Sequence, residues 1–158
     1  MLNQEIYTNA NKKNILLADD DSDDCLLFSN ALQEIDVATN LISVSDGEQL
    51  MKYLDSADIL PDIIYLDMNM PRKTGAVCLV EIKSDNRLKD IPVIIISTCL
   101  EPSLIESLFV HGAHYFIRKP NAFSKLRFLL YHSIGLVSQH LLQPDFKNFI
   151  LADEKTML

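Results

Sequence analysis

The chain has 158 residues, 48% of them hydrophobic and 23% charged. That is one domain's worth of ordinary globular composition, enough for a core and too apolar for wholesale disorder. Lys and Arg total 14 against 22 Asp and Glu, a formal net charge of −8, which opposes a phosphate backbone, so no nucleic-acid partner is expected.

Residues 1–13 are polar and carry no period, as a loose arm would. Residues 14–18 are an apolar run cut off by three aspartates, which suits a buried strand. Over 22–35, Cys25, Leu26, Phe28, Leu32 and Ile35 recur at helical spacing. A second strand is expected over 40–44. Ser45 and Glu48 then fit a capping box, and Leu50, Met51 and Leu54 supply the apolar stripe of the next helix. Pro61 and Asp62 introduce a third strand over 63–66, ending at Asp67. A loop over 69–75 leads to a helix over about 76–83 with Val77 and Val80 in its period. Pro92 admits a fourth strand over 93–96, ending at Ser97 and Thr98. Ser103 and Glu106 fit another capping box, for a helix that reaches about Val110 and stops at Gly112. A short strand over 115–117 precedes Arg118, Lys119 and Pro120. The last long helix, about 122–136, carries Phe123, Leu126, Leu129, Leu130 and Ile134 on one side.

Five strands alternating with five helices predict an α/β fold with a parallel sheet covered on both faces. Residues 14–138 make this one domain and 139–158 a C-terminal tail. Pro144 suits the start of a short helix in that tail, with Phe146, Phe149 and Ile150 at helical spacing. That stripe reads first as packing on the domain's own surface, with a partner contact as the alternative. The leucines at 129, 130, 136, 141 and 142 also suit a homodimer interface, although core burial explains many of them.

No apolar run approaches the ~20 residues of a membrane span. No basic patch followed by an apolar stretch opens the chain, so neither a signal peptide nor a membrane partner is expected. The three cysteines, Cys25, Cys78 and Cys99, are far apart and form no C-x-x-C. This usage fits a reduced, cytoplasmic protein without a disulfide framework or structural zinc site.

The polar residues fall at strand ends. Asp19 and Asp20 follow the first strand, Asp67 the third, Ser97 the fourth and Lys119 the fifth. In an open α/β sheet those ends share one edge, where such folds place their ligands. Two unit charges ~4 Å apart repel by roughly 4 kcal/mol at an effective dielectric of 20. Three gathered carboxylates therefore call for raised pKa values or a bound cation. Oxygen ligands few in number, completed by water, favour Mg²⁺. A metal, the Lys119 ammonium and the Ser97 hydroxyl together match the three oxygens of a transferring phosphoryl group. One carboxylate would be the nucleophile, and Asp67, ending a central strand, is the natural candidate.

Four segments carry a specific resemblance: Ile-Leu-Leu-Ala-Asp19-Asp20, Tyr-Leu-Asp67-Met-Asn69-Met-Pro71, Ile-Ile-Ser97-Thr98 and Phe116-Ile-Arg-Lys119-Pro120. Over about residues 13–138 the chain resembles a response-regulator receiver domain of two-component signalling. The resemblance implies a doubly wound (βα)5 flavodoxin-like fold with a five-stranded parallel sheet in the order 2-1-3-4-5. It implies that Asp67 accepts a phosphoryl group from a phosphohistidine on a sensor histidine kinase or histidine phosphotransfer protein. Asp20, Asp67 and the backbone carbonyl of Asn69 would ligate Mg²⁺, with Asp19 acting partly through water. Lys119 and Ser97 would hold phosphoryl oxygens. Ser97 and Phe116 would be the switch pair that alters binding to a downstream protein target, and Lys119–Pro120 would be cis. Thr98 stands where many receivers have Ala or Gly and should narrow access to the phosphoryl group. Any enzymatic activity would be limited to self-phosphotransfer and autodephosphorylation.

Rival readings are weaker. Asp24 and Asn30 stand where an EF-hand requires Gly and Glu. No P-loop or dinucleotide fingerprint is present. An aspartate-dependent phosphatase wants a carboxylate at the position of Asn69. Asp23 and Asp24 are explained by the helix dipole, and His111 and His114 read as helix-end histidines rather than metal ligands. The remaining alternative is a receiver-fold interaction module that acts without phosphorylation.

Overall fold

The computed structural model describes residues 12–152. Most of the N-terminal arm thus lies outside the described residues. The order is β1 (Lys13–Ala18), α1 (Ser22–Glu34), β2 (Thr39–Val44), α2 (Gly47–Ser56), β3 (Ile63–Asp67), α3 (Gly75–Ser84), β4 (Val93–Ser97), α4 (Pro102–Val110), β5 (Tyr115–Arg118) and α5 (Phe123–Gln139). A 3-10 turn (Phe146–Asn148) and a short strand, β6 (Ile150–Leu151), follow. All neighbouring strands pair in parallel, in the order β2-β1-β3-β4-β5-β6. The first five strands have the expected order, and the tail adds a sixth.

Parallel neighbours need crossovers, and the helices supply them on both faces of the sheet. Alternation along the strands divides the core in two. Leu16, Ile64, Leu66, Ile95 and Phe116 face α2, α3 and α4, which contribute Leu50, Leu54, Leu79, Ile82 and Leu108. Ile15, Leu17, Tyr65, Ile94 and Ile117 face α1 and α5, which contribute Phe28, Leu32, Leu129, Leu130 and Ile134. Both faces of β3 and β4 are buried throughout, which is why those strands read as unbroken apolar runs. Tyr65 finds a partner for its buried hydroxyl in Ser133 of α5, 2.7 Å away, and so ties the central strand to the last helix.

The helix ends correct the sequence reading in detail. The N-cap of α2 is Asp46, whose carboxylate accepts from Gln49 N–H at 2.8 Å. Gln49 reaches back to Ser45 N–H at 3.1 Å, so the reciprocal pair involves Asp46 and Gln49 rather than Ser45 and Glu48. Helix α4 opens at Pro102 rather than Ser103, because proline's missing N–H costs nothing in a first turn. Val77, Val80 and Leu26 are exposed. Cys78, Leu79 and Ile82 are the buried side of α3, since a helix this apolar has no unique stripe to read. The glycine stop after α4 stands: Gly112 has φ +98°, the left-handed region a helix C-terminus favours.

The tail differs most. The stripe at 146, 149 and 150 does not form an α-helix; one 3-10 turn delivers Phe149 into the core. There it meets Phe109 edge-on, centroids 5.3 Å apart. Its carbonyl accepts from Phe116 N–H at 2.9 Å, the bond that starts the β5–β6 ladder. His114 is a buried anchor of this tail, not a helix-end surface residue. Its Nδ1 accepts from Val93 N–H at 3.4 Å and its Nε2 donates to the Leu141 carbonyl at 2.9 Å. Burial, with the Lys83 charge, holds its pKa down to about 4. The Gln143 amide donates to the Phe109 and Ala113 carbonyls at 2.6 and 2.7 Å. Leu141 and Leu142 remain exposed. The Lys119–Pro120 bond is not cis; it keeps the trans form that X-Pro bonds mildly prefer. No helix among the described residues is long and apolar enough to cross a membrane.

Candidate functional site

The C-terminal ends of β1, β3, β4 and β5 do share one edge. Asp67 is the last residue of β3 and pairs in register with Ile96. Ser97 is the last of β4 and pairs with Arg118. Lys119 follows, and its backbone N–H donates to the Ser97 carbonyl at 2.9 Å. Sheet registry thus sets the hydroxyl, the ammonium and the central carboxylate beside one another.

The turn after β1 is built from its own aspartates. Asp19 N–H donates to the Val44 carbonyl at 3.1 Å, continuing the β1–β2 direction. Asp19 Oδ1 accepts from Asp21 N–H at 3.0 Å. Asp21 in turn caps α1, its Oδ1 accepting from Asp23 and Asp24 N–H at 2.9 and 3.2 Å. Caps of this kind satisfy the orphan donors of a helix start. They leave Asp20 exposed at the mouth and Asp19 buried.

Ligand oxygens of Asp19, Asp20 and Asp67 lie within 4.8 Å of one another. Asp19 is 4% exposed and Asp67 5%. Burial, then the Asp19 charge, pushes the Asp67 carboxyl up to about 6, against the lowering pull of Lys119 and of a hydrogen bond from Asn69 N–H. The Lys119 ammonium lies 3.0 Å from Asp19 Oδ2, 2.9 Å from Asp24 Oδ2 and 3.6 Å from Asp67 Oδ2. Burial disfavours its charge, but hydrogen bonds to Asp24 and Asp19 overcome that and raise its pKa. One ammonium against three clustered carboxylates leaves uncompensated negative charge, and an all-oxygen donor set of this size fits a hard divalent cation.

Ser97 is fully buried, its Oγ accepting from Cys99 N–H at 3.1 Å. Thr98 beside it is exposed at the rim. Phe116 is also fully buried, turned toward α4 and the tail, with its ring 6.4 Å from that of Phe149. Asn69 is exposed and enters through its backbone. Met68 and Met70 are buried core residues. Gly75 begins α3 directly against the site: a Cβ there would stand 2.2 Å from the Asp67 carbonyl oxygen. Cys25 Sγ approaches the Asp19 carbonyl at 3.5 Å. Burial and the Asp19 and Asp24 charges push this thiol up to about 11, which keeps it protonated.

All the predicted acidic, hydroxyl and lysine positions therefore meet at one edge. Sequence reasoning missed Asp24 as a partner of Lys119. The cap alone places Asp24 in the first turn of α1, and nothing local connects it to Lys119.

A family model described as the response regulator receiver domain matches residues 15–130. The response regulator Rcp1 of a Synechocystis species is 33% identical over 115 residues, 69% of this chain and 78% of that protein. The phosphorylated cyanobacterial phytochrome response regulator RcpA superposes with a TM-score of 0.74 at 32% identity, covering 82% of this chain and 95% of that one. The Mn²⁺-bound form of response regulator Rcp1 gives a TM-score of 0.73 at 26% identity, covering 84% and 99%.

Proposed function

Since the chain belongs to the response-regulator receiver domain family of two-component signalling, we propose that it is a phosphoacceptor whose Asp67 takes a phosphoryl group from a phosphohistidine. In that step an Asp67 carboxylate oxygen attacks phosphorus, the P–N bond breaks, and the imidazole leaves on the donor, a sensor histidine kinase or histidine phosphotransfer protein. The observation that carries the reading is the meeting of Asp19, Asp20 and Asp67 within 4.8 Å with the Lys119 ammonium 3.6 Å from Asp67.

Asp19, Asp20, Asp67 and the Asn69 carbonyl would hold Mg²⁺, which when bound supplies positive charge beside the transferring oxygens. The Lys119 ammonium pairs with a second oxygen, and the Ser97 hydroxyl donates to a third. The Ser97 Oγ accepts from Cys99 N–H and keeps its own proton to donate, so reaching the phosphoryl oxygen draws its loop inward. The space vacated lets Phe116 turn, which shifts the population seen by a downstream protein target. Phe116 has no hydroxyl, so this switch works through packing alone.

The test is incubation with acetyl phosphate and Mg²⁺, followed by intact-mass measurement. Wild type gains one phosphoryl group, and Asp67→Asn gains none. A modification that persists in Asp67→Asn overturns the site. A wild type that stays unmodified favours an interaction module that acts without phosphorylation.

A further inference from the structure

Lys119 is shared among three carboxylates, and the shortest contact is to the one outside the metal cluster. Asp24 Oδ2 lies 2.9 Å from Nζ and Asp67 Oδ2 3.6 Å. Asp24 is not among the three residues whose ligand oxygens gather. Its position is fixed independently, because its own N–H is held by the Asp21 cap of α1. We propose that Asp24 is a positioning residue for phosphoryl transfer: it anchors the Lys119 ammonium on the α1 side and opposes its movement onto the phosphoryl group at Asp67.

This rests on the phosphoacceptor reading and adds a residue to it. The physical argument is a competition for one cation. Asp19 and Asp67 are almost fully buried, whereas the Asp24 side chain is 40% exposed. Positive charge bound by Asp19, Asp20 and Asp67 weakens the hold of those carboxylates on Lys119. Asp24 keeps its full charge, so it becomes the dominant counterion at the moment when the ammonium must follow a transferring oxygen. The ion pair spans from the first turn of α1 to the end of β5, so the sheet edge itself keeps the two ends in place. A half-exposed pair of this kind is worth a small factor, not an all-or-none effect. Asp24 thereby sets the ease of transfer without being required for it.

The experiment measures the affinity of the full chain for beryllofluoride in the presence of Mg²⁺, a mimic of a phosphoryl group on a carboxylate, together with the rate of modification by acetyl phosphate. Asp24→Asn should bind beryllofluoride about two- to fivefold more tightly, the size expected of a lost half-exposed ion pair, and react faster. Asp24→Glu keeps the charge within reach of Lys119 and should behave as wild type. Asp23→Asn makes the same change of formal charge one residue earlier, on an exposed side chain, and should have a much smaller effect through the screened field alone. Unchanged or weaker binding by Asp24→Asn, or equal tightening by Asp23→Asn, overturns the proposal while leaving the phosphoacceptor reading intact. A wild type that binds no beryllofluoride overturns both.

Discussion

Phe149 packs beside Phe116 in the core: the two ring centroids are 6.4 Å apart, and both side chains are fully buried. A residue from the tail therefore forms part of the wall behind a side chain that must turn in the proposed switch. Phe149→Ala should lose about 3–5 kcal/mol of stability, the usual cost of emptying a buried aromatic site, read from urea unfolding. A loss under ~1 kcal/mol would mean that the tail only rests on the domain.

The pH dependence has a sign fixed by Asp67. Its carboxyl ionises at about 6 when folded, against 3.8 for the ordinary group. Between those values the folded chain binds more protons than the unfolded one, so this residue's contribution falls as pH rises through that window. The loss above it is on the order of 1–3 kcal/mol. His114 acts oppositely: with its pKa held to about 4 against 6.5, it destabilises on acidification. The two overlap, so the wild-type profile alone is uninformative. In metal-free buffer, Asp67→Asn should match wild type near pH 4 and be the more stable above pH 6. Parallel unfolding midpoints across that range would refute the assignment.

Two glycines give opposite outcomes for one chemical change. In Gly75→Ala the new Cβ would stand 2.2 Å from the Asp67 carbonyl oxygen and 2.6 Å from Met68 Cε. The backbone that presents the acceptor must shift, so acetyl phosphate modification should fall along with stability. At Gly135, in α5, nothing lies within 4 Å of the new atom. Gly135→Ala should gain about 0.5–1 kcal/mol from helix propensity and modify at the wild-type rate. Thermal unfolding and intact-mass measurements on both variants decide it.

Thr98 is exposed beside the buried Ser97, a β-branched side chain at the rim. Thr98→Ala should widen the approach, so phosphorylation by acetyl phosphate and spontaneous hydrolysis should both accelerate. Equal rates in the two proteins would show that the rim does not limit access.

The strands and the edge they share were legible because β3 and β4 are buried on both faces and each ends abruptly at a polar residue. The carboxylates at 19, 20 and 67 followed from that punctuation. The tail was not legible: Phe146, Phe149 and Ile150 carry helical spacing, yet the segment is a 3-10 turn that leads into the two-residue β6, held by the hydrogen bond from Phe116 N–H to the Phe149 carbonyl. Only the partner strand specifies that outcome, and local propensity does not contain it. Asp24 was hidden for a related reason. A first-turn aspartate is fully explained by the helix dipole until Lys119, distant in the chain, is seen against it. Val77 and Val80 misled because both sides of α3 are apolar, and the neighbouring α2 decides which side is covered.

The pairing of β6 with β5 also bears on association between molecules. Tyr115, Phe116 and Ile117 form a short apolar strand; unpaired, its edge would be a template for recruiting a neighbouring chain. The two residues Ile150 and Leu151 close that edge and present a far shorter one. At the opposite side, β2 is an open edge that exposes Ile42 beside Asn40 and Ser43. At the β5 side, β6 leaves a two-residue edge in place of a four-residue one, so truncation before Pro144 should show up first as self-association on heating.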